Sequence, residues 1–463
     1  MNRSKLLFSA LLLYGATTAP ELGAHASKQA EGGASAKKGA PPVRHNETKP
    51  DAKCGRCGGI GGKSQALGTT GNGHSTSGRR GPETSHLLPG GKVPSASGGG
   101  ETSTKENRTG DLRARGTDIH HGRGGMGERR IERPDHSVLV ASHGGHGYIE
   151  RSYSYHGHEF AHRTYYLHGV AYSRFYQPYR YRGIAFQVYA PGFYYSPAFY
   201  GWVYAPWARP VAWEWGWAGD PWCRYYGRWF RPYPVYTSPA LWLTDYLVAQ
   251  TLQAAYQARI AAAAEAARRN AEAAEFASSP LLPDVKQAIA EEVRRQLALE
   301  NAEAQDRYRR LPDPASSGLE RMLSDHVSHV FVVATALRVM SVGGACSLTD
   351  GDVIQLDGPT APNAVTAKLV VLAAKGTDCR KGTIVTVGLA DLQEMQNHMR
   401  ATIDQGLREL QSKQGKGGLP TAPPSATKPP VPMEFAGIAP PPDPNGEAEI
   451  RQQAAEADKA GRQ

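Results

Sequence analysis

Tyr155-His-Gly-His-Glu-Phe160, Leu167-His-Gly-Val-Ala-Tyr172 and Tyr181-Arg-Gly-Ile-Ala-Phe186 are three copies of one pattern. An aromatic residue or Leu precedes a His-Gly or Arg-Gly pair, and an aromatic follows three residues after the glycine. The glycines stand 12 and 14 residues apart, the length of a strand plus a tight turn. Two-residue hairpin turns need positive φ, which glycine adopts at no steric cost. Tyr, Phe, Val and Thr between the turns suit a pleated surface. The pattern predicts an antiparallel meander over 148–189, with a short strand before it at Ser137-Val-Leu-Val-Ala141.

The repeats open an aromatic block. Residues 148–246 hold nineteen of the 22 Tyr, all eight Trp and six of the ten Phe. Between His136 and Ala240 there is no Lys but there are nine Arg. From 190 to 239, prolines at 191, 197, 206, 210, 221, 232, 234 and 239 exclude long regular strands. Turns and extended loops are expected there, stacked through Phe199–Trp207 and Trp213–Trp217, with Arg209, Arg224, Arg228 and Arg231 over the rings.

Helices follow. Ser238-Pro239 is a cap followed by a first-turn proline, so a helix should start at Ala240 and run to near Phe276. A second helix begins after Pro283-Asp284. Its stripe of Val285, Ile289, Val293 and Leu297 must be buried, inside the chain or on a helix-mediated protein partner. The helical segment spans 240–300 and a small domain spans 319–411. In that domain His329–Val339, Val353–Leu356, Val365–Ala373 and Thr383–Val387 read as strands, and Asp391–Leu410 as an amphipathic helix. The expected class is α+β: a Tyr/Trp-rich β and loop block (136–239) that holds the antiparallel meander, long helices, and a small four-stranded sheet or partial barrel closed by a helix.

The ends are different in kind. Gly (52) and Pro (33) are abundant among 463 residues and mean hydropathy is −0.49, so long parts cannot bury a core. Arg3, Lys5, the apolar run Leu6–Ala16 and Ala24-His-Ala26 read as a signal peptide over 1–26, with cleavage before Ser27. Export to periplasm, cell surface or medium follows. No later run is long and apolar enough to span a membrane. Residues 27–135 form a Gly/Ser-rich arm, and the Pro-rich tail covers 412–463; both are expected to be disordered. The arm holds nineteen Lys+Arg against eleven Asp+Glu, most of the +10 formal charge. Such a charge favours anionic envelope polymers, and export argues against specific nucleic acid. In an oxidising compartment Cys346 and Cys379, in facing loops of one small domain, should form a disulfide. Cys54-Gly-Arg-Cys57 lacks the second pair of a zinc ribbon and the strand and helix of a redox site. It reads as a local disulfide or incidental thiols. Cys223 is left without an evident partner.

Catalytic motifs are absent: there is no G-x-S-x-G, H-E-x-x-H or P-loop, and nothing implies a cofactor. His156 and His158 would share a strand face, but Gly157 between them sits at a turn, so no metal site is expected. Asp325, His326 and His329 cluster without a nucleophile. Planar rings with nearby polar groups suit sugars, because pyranose C–H faces pack on them. Trp202, Trp207, Trp213, Trp215, Trp217, Trp222 and Trp229 are therefore the candidate ligand-binding residues, with a purely structural core as the competing reading. The function classes left open are a non-enzymatic envelope protein binding glycan or peptidoglycan, a hydrolase of wall or extracellular polymer, and an envelope assembly or scaffold factor.

The stretches 155–160 through Trp242-Leu-Thr-Asp-Tyr246, and Cys346-Ser-Leu-Thr-Asp-Gly-Asp-Val-Ile354 followed by Asp391-Leu-Gln-Glu-Met395, resemble a set of exported bacterial proteins of uncharacterised function. They share a Tyr/Trp-rich block and a small C-terminal α+β domain. The resemblance covers 136–411 and implies export to a bacterial envelope, with no activity attached. The long N-terminal arm has no counterpart in it.

Overall fold

The computed structural model describes residues 112–114, 117–121, 129–142, 146–167, 169–267, 280–307 and 310–460. The 1–26 segment, Cys54, Cys57 and most of the basic arm lie outside them.

The hairpin pattern folds as its glycines require. Strands β1 (Leu112–Ala114), β2 (Thr117–His121), β3 (Arg129–Glu132), β4 (Val138–Ser142), β5 (His146–Tyr155), β6 (His158–Leu167), β7 (Val170–Tyr181) and β8 (Ile184–Ala190) form one antiparallel meander in chain order. Tyr155 faces His158, Leu167 faces Val170 and Tyr181 faces Ile184, so each glycine turn is a two-residue loop. His156 and Gly157 have φ of 47° and 79°, and Arg182 and Gly183 have 49° and 79°, as type I′ turns demand. The sheet starts earlier than expected: the described residues of the arm are strands, not tether.

The Pro-rich half of the block is less loop-like than predicted. After β9 (Phe193–Tyr194), α1 (Pro197–Tyr204) and α2 (Pro221–Tyr225) each carry their proline in the first turn. A proline there gives up no helical hydrogen bond, so it starts helices instead of only breaking strands. The Ser196 hydroxyl caps α1 by accepting from Phe199 N at 3.2 Å. Helices α3 (Pro239–Ala267) and α4 (Pro283–Asp306) follow, then the short α5 (Pro314–Ser317) and α6 (Leu319–Ser324). The stripe on α4 is buried in the same core as Leu243, Leu247 and Trp242 of α3, so it is consumed inside the chain.

The C-terminal sheet has six strands among the described residues, not four. Strands β10 (Val330–Val332), β11 (Leu337–Ser341), β12 (Gly344–Leu348), β13 (Val353–Leu356), β14 (Thr366–Ala373) and β15 (Ile384–Gly388) run in the order β10-β13-β14-β15-β11-β12. The single strand expected over 329–339 is broken after Val332, and its halves lie four strand positions apart. Four strand spacings in a flat sheet come to about 19 Å. The five Cα steps from Val332 to Leu337 span at most about 18 Å. The sheet must therefore curl, which gives the partial-barrel form. Cys346 and Cys379 form the expected disulfide, with Cα atoms 5.4 Å apart. Cys223 is also disulfide-bonded and buried, which corrects the expectation that it lacks a partner.

Helix α7 (Leu389–Lys413) joins the two sheets. Its apolar face packs on the C-terminal strands, and its polar side chains close the edge of β8. Asn397 accepts from Tyr189 N at 2.9 Å and donates to Gln187 O at 2.6 Å. An open edge strand would be a template for pairing with another chain, and these bonds occupy it.

The tail differs from expectation through residue 460. β16 (Val431–Pro432) pairs with β9, α8 (Glu434–Gly437) buries Phe435 against Phe160 and Phe175, and α9 (Gly446–Ala460) sets Ile450 and Ala454 on Ile131, Leu139 and Ile149. Arg133 pairs with Asp443 at 2.8 Å. Proline-rich backbone needs few hydrogen-bond partners, so a handful of apolar anchors is enough to seat it.

Candidate functional site

The candidate tryptophans are mainly core. Trp207, Trp222 and Trp229 are buried, and Trp202, Trp213, Trp215 and Trp217 are half-buried. Trp215 stacks with Trp217 at 4.0 Å and with Trp242 at 4.7 Å between centroids, and Trp213 meets both Trp215 and Trp242 edge-on. Trp215 Nε1 donates to the Tyr236 hydroxyl at 2.7 Å, which donates to buried Asp245 at 2.7 Å. Lys286 of α4 completes the set by pairing with Asp245 and lying 3.7 Å from the Tyr233 centroid. Burial pushes the Lys286 ammonium below its ordinary value even against Asp245. Among the described residues the cations over rings of 213–233 are Arg259, Lys286, Lys375 and Lys413, not the four arginines singled out in the sequence. A ring stacked by its neighbours has little face left for a pyranose. Trp215→Ala should therefore cost about 2–4 kcal/mol of stability, somewhat below the range for a fully buried aromatic truncation because Trp215 is half-buried. Urea unfolding followed by near-UV circular dichroism checks this; a loss under 1 kcal/mol would return the stack to the list of surfaces.

The histidines serve structure. His156 stacks on Tyr155 at its turn, and His162 bonds the Ser173 hydroxyl at 2.8 Å. His329 is buried between Glu292 of α4 and Asp325, each at 2.9 Å, while His326 stands at positive φ beside it. Burial opposes the His329 charge and the two carboxylates outweigh it, raising its pKa. That triad ties α4 to β10. Among the described residues no group of His, Cys, Asp and Glu is arranged to hold a metal ion.

A recess with open volume lies elsewhere, where β7, β9 and α7 meet. Its volume of about 240 Å³ is lined by Tyr172, Ser173, Arg174, Phe175, Tyr189, Gly192, Phe193, Gln405 and Arg408, with Ala171 and Ala401. The hairpin register sets Arg163 directly opposite Arg174. Like charges in that position repel unless each finds a counter-charge. Arg163 has two, Glu150 at 2.7 Å and Glu394 at 3.3 Å. Arg174 instead lies 4.7 Å from the Tyr165 centroid and bonds the Tyr176 hydroxyl. Burial disfavours its charge, but a guanidinium stays protonated at any working pH. Arg408 is exposed at the rim, 5.0 Å from the Phe193 centroid.

Behind the recess is a sealed polar network. The Tyr189 hydroxyl donates to Asp404, and Arg400 pairs with Glu303 at 2.7 Å. Glu303 also accepts from Tyr194 at 3.0 Å and from Ser317. Burial, with the Asp404 carboxylate adding to it, holds Glu300 well above the ordinary range. Glu300 Oε1 has no donor among the described residues. The hydrogen bond between Glu300 and Asp404 favours the proton on Glu300. His398 is pushed down to about 3 by burial and the Arg174 charge, so it is neutral beside Thr251.

The recess residues escaped the sequence reading, although the two-residue turn after Leu167 already fixes Arg163 opposite Arg174. The molecule is thus a mixed α+β protein with an aromatic core, two antiparallel sheets joined by one helix, and a small cationic recess at the junction. No protein-family model, curated protein or solved structure matches the chain.

Proposed function

We propose that the protein is an exported, non-enzymatic component of a bacterial envelope that binds glycan or peptidoglycan. The observation that carries this reading is the recess: an open volume of about 240 Å³ walled by Tyr172, Phe175 and Phe193, with Ser173 and Gln405 as polar partners. Rings for C–H faces and polar groups for hydroxyls are the combination that sugars need. Three further features support export: the signal-like 1–26 segment, the resemblance noted above, and disulfides, which persist in oxidising compartments.

Hydrolysis is less well supported than binding. Glycosidases present two carboxyl groups to the scissile bond. Here Asp404 and Glu300 are buried behind Tyr189 and bonded to one another or to tyrosines. A scaffold role through α4 loses its motive because the α4 stripe is already covered. Among the described residues no helix is long and apolar enough to cross a membrane.

Sedimentation of the full mature chain with insoluble peptidoglycan and with envelope polysaccharide tests the reading, run beside an assay for released reducing sugar. The expected result is retention on at least one polymer with no release above buffer. A chain that stays in the supernatant throughout, or that releases reducing ends steadily, overturns it.

A further inference from the structure

We propose that the recess is an anion site that takes the acidic group of one sugar unit, with Arg174 holding it and Arg408 closing over it from the rim. The polymer-binding reading supplies the carrier; the anion preference stands on separate observations. The lining holds two arginines and, among the described residues, no carboxylate. Asp404, one turn of α7 before Arg408, is 1% exposed and accepts from the Tyr189 hydroxyl. Arg163 and Arg174 are directly cross-strand, and among the described residues only Arg163 is paired with carboxylates. A sheet that keeps two arginines face to face is short of one negative charge at Arg174, and the recess opens there.

The geometry also limits the ligand. Drug-sized pockets run to roughly 300–1,000 Å³. A recess of about 240 Å³ takes one ring, not an extended molecule. The floor is kept open by Gly192, where a Cβ would approach the Phe175 ring to 2.7 Å. Tyr172, 41% exposed, and Phe193 offer ring surface to a pyranose, and the Arg174 fork matches two oxygens of a carboxylate or phosphate. The shared chemistry is a sugar bearing one anionic group, either a uronic acid or a sugar phosphate.

Titration calorimetry of the full mature chain with glucuronic acid, glucose 6-phosphate and glucose, at low and high salt, tests the inference. One or both acids should bind while glucose does not, and added salt should weaken the binding. Whichever acid binds more tightly identifies the source. Arg408→Gln, at an exposed position, should weaken binding about tenfold, one lost charge-assisted bond. Arg174→Met should abolish binding with near-UV circular dichroism unchanged, and Arg174→Lys should restore part of it. If Arg174→Met unfolds, the Arg408→Gln result decides. Equal binding of glucose and the acids, or wild-type affinity in Arg408→Gln, overturns the anion site. Retention on polymer with no binding of either acid sinks this inference and leaves the polymer reading standing. Binding of an acid with no retention on any polymer does the reverse.

Discussion

Arg400→Met should destabilise the protein by about 3–5 kcal/mol, the cost of leaving one member of a buried ion pair alone. Arg400 is 1% exposed and bonds Glu303 at 2.7 Å, Tyr189 O at 3.4 Å and Ser317 O at 3.3 Å. It thereby joins α7 to α4, to the edge of β8 and to the end of α5. Methionine fills most of the volume but leaves Glu303 charged and buried, with only two hydroxyl donors. Urea unfolding at neutral pH measures the loss; a change below about 1 kcal/mol, the range of exposed pairs, would mean the network is solvated.

The neighbouring acid gives the opposite control. Glu300 holds its proton in the folded state at pH values where the unfolded chain releases it. The folded form then binds more protons, so wild-type stability falls as pH rises from the ordinary carboxylate range through the raised folded value. Glu300→Gln keeps a hydrogen-bond donor toward Asp404 and removes the titration. It should be near neutral in stability at acidic pH and should flatten that decline. A variant with an unchanged pH slope would place the proton elsewhere.

The second large effect concerns the C-terminal sheet. Replacing Cys346 and Cys379 by Ser should cost roughly 3–4 kcal/mol, the chain-entropy value for a bridge of this span, with a sequence separation of 33 residues. The bond ties edge strand β12 to the loop before β15, so the curled sheet should open first from that edge. Hydrogen exchange on the double variant should show amides of 337–348 deprotected ahead of α7. Deprotection of the whole chain at once would mean that the sheet has no independent opening.

What the sequence made legible followed from local rules. Glycine turns set strand length and register through 155–186, and the shared small domain paired Cys346 with Cys379. The apolar period marked α7. What it hid was non-local. A break after Val332 looks like continuous strand, because Val333 and Ala334 are as apolar as their neighbours. The tail from Ser412 looks like linker by composition, yet Phe435 and Ile450 find pockets that only the folded sheet creates. Tryptophan density left a surface and a core both open; a Pro-interrupted chain with no Leu or Ile between 190 and 239 fills its interior with rings. The cationic recess combines β7, β9 and α7, and the α7 residues that line it lie more than two hundred positions from its strand residues. Its one sequence-level trace is the Arg163–Arg174 register.

The claim that the recess, and not the tryptophan stack, is the binding surface can be read directly. Oxidative footprinting of the full chain, free and loaded on the polymer that retains it, reports on each exposed aromatic side chain. Tyr172 and Phe193 should become protected on binding while Trp202 and Trp217 keep their rates. Protection of Trp202 and Trp217 with Tyr172 and Phe193 unchanged would contradict the account.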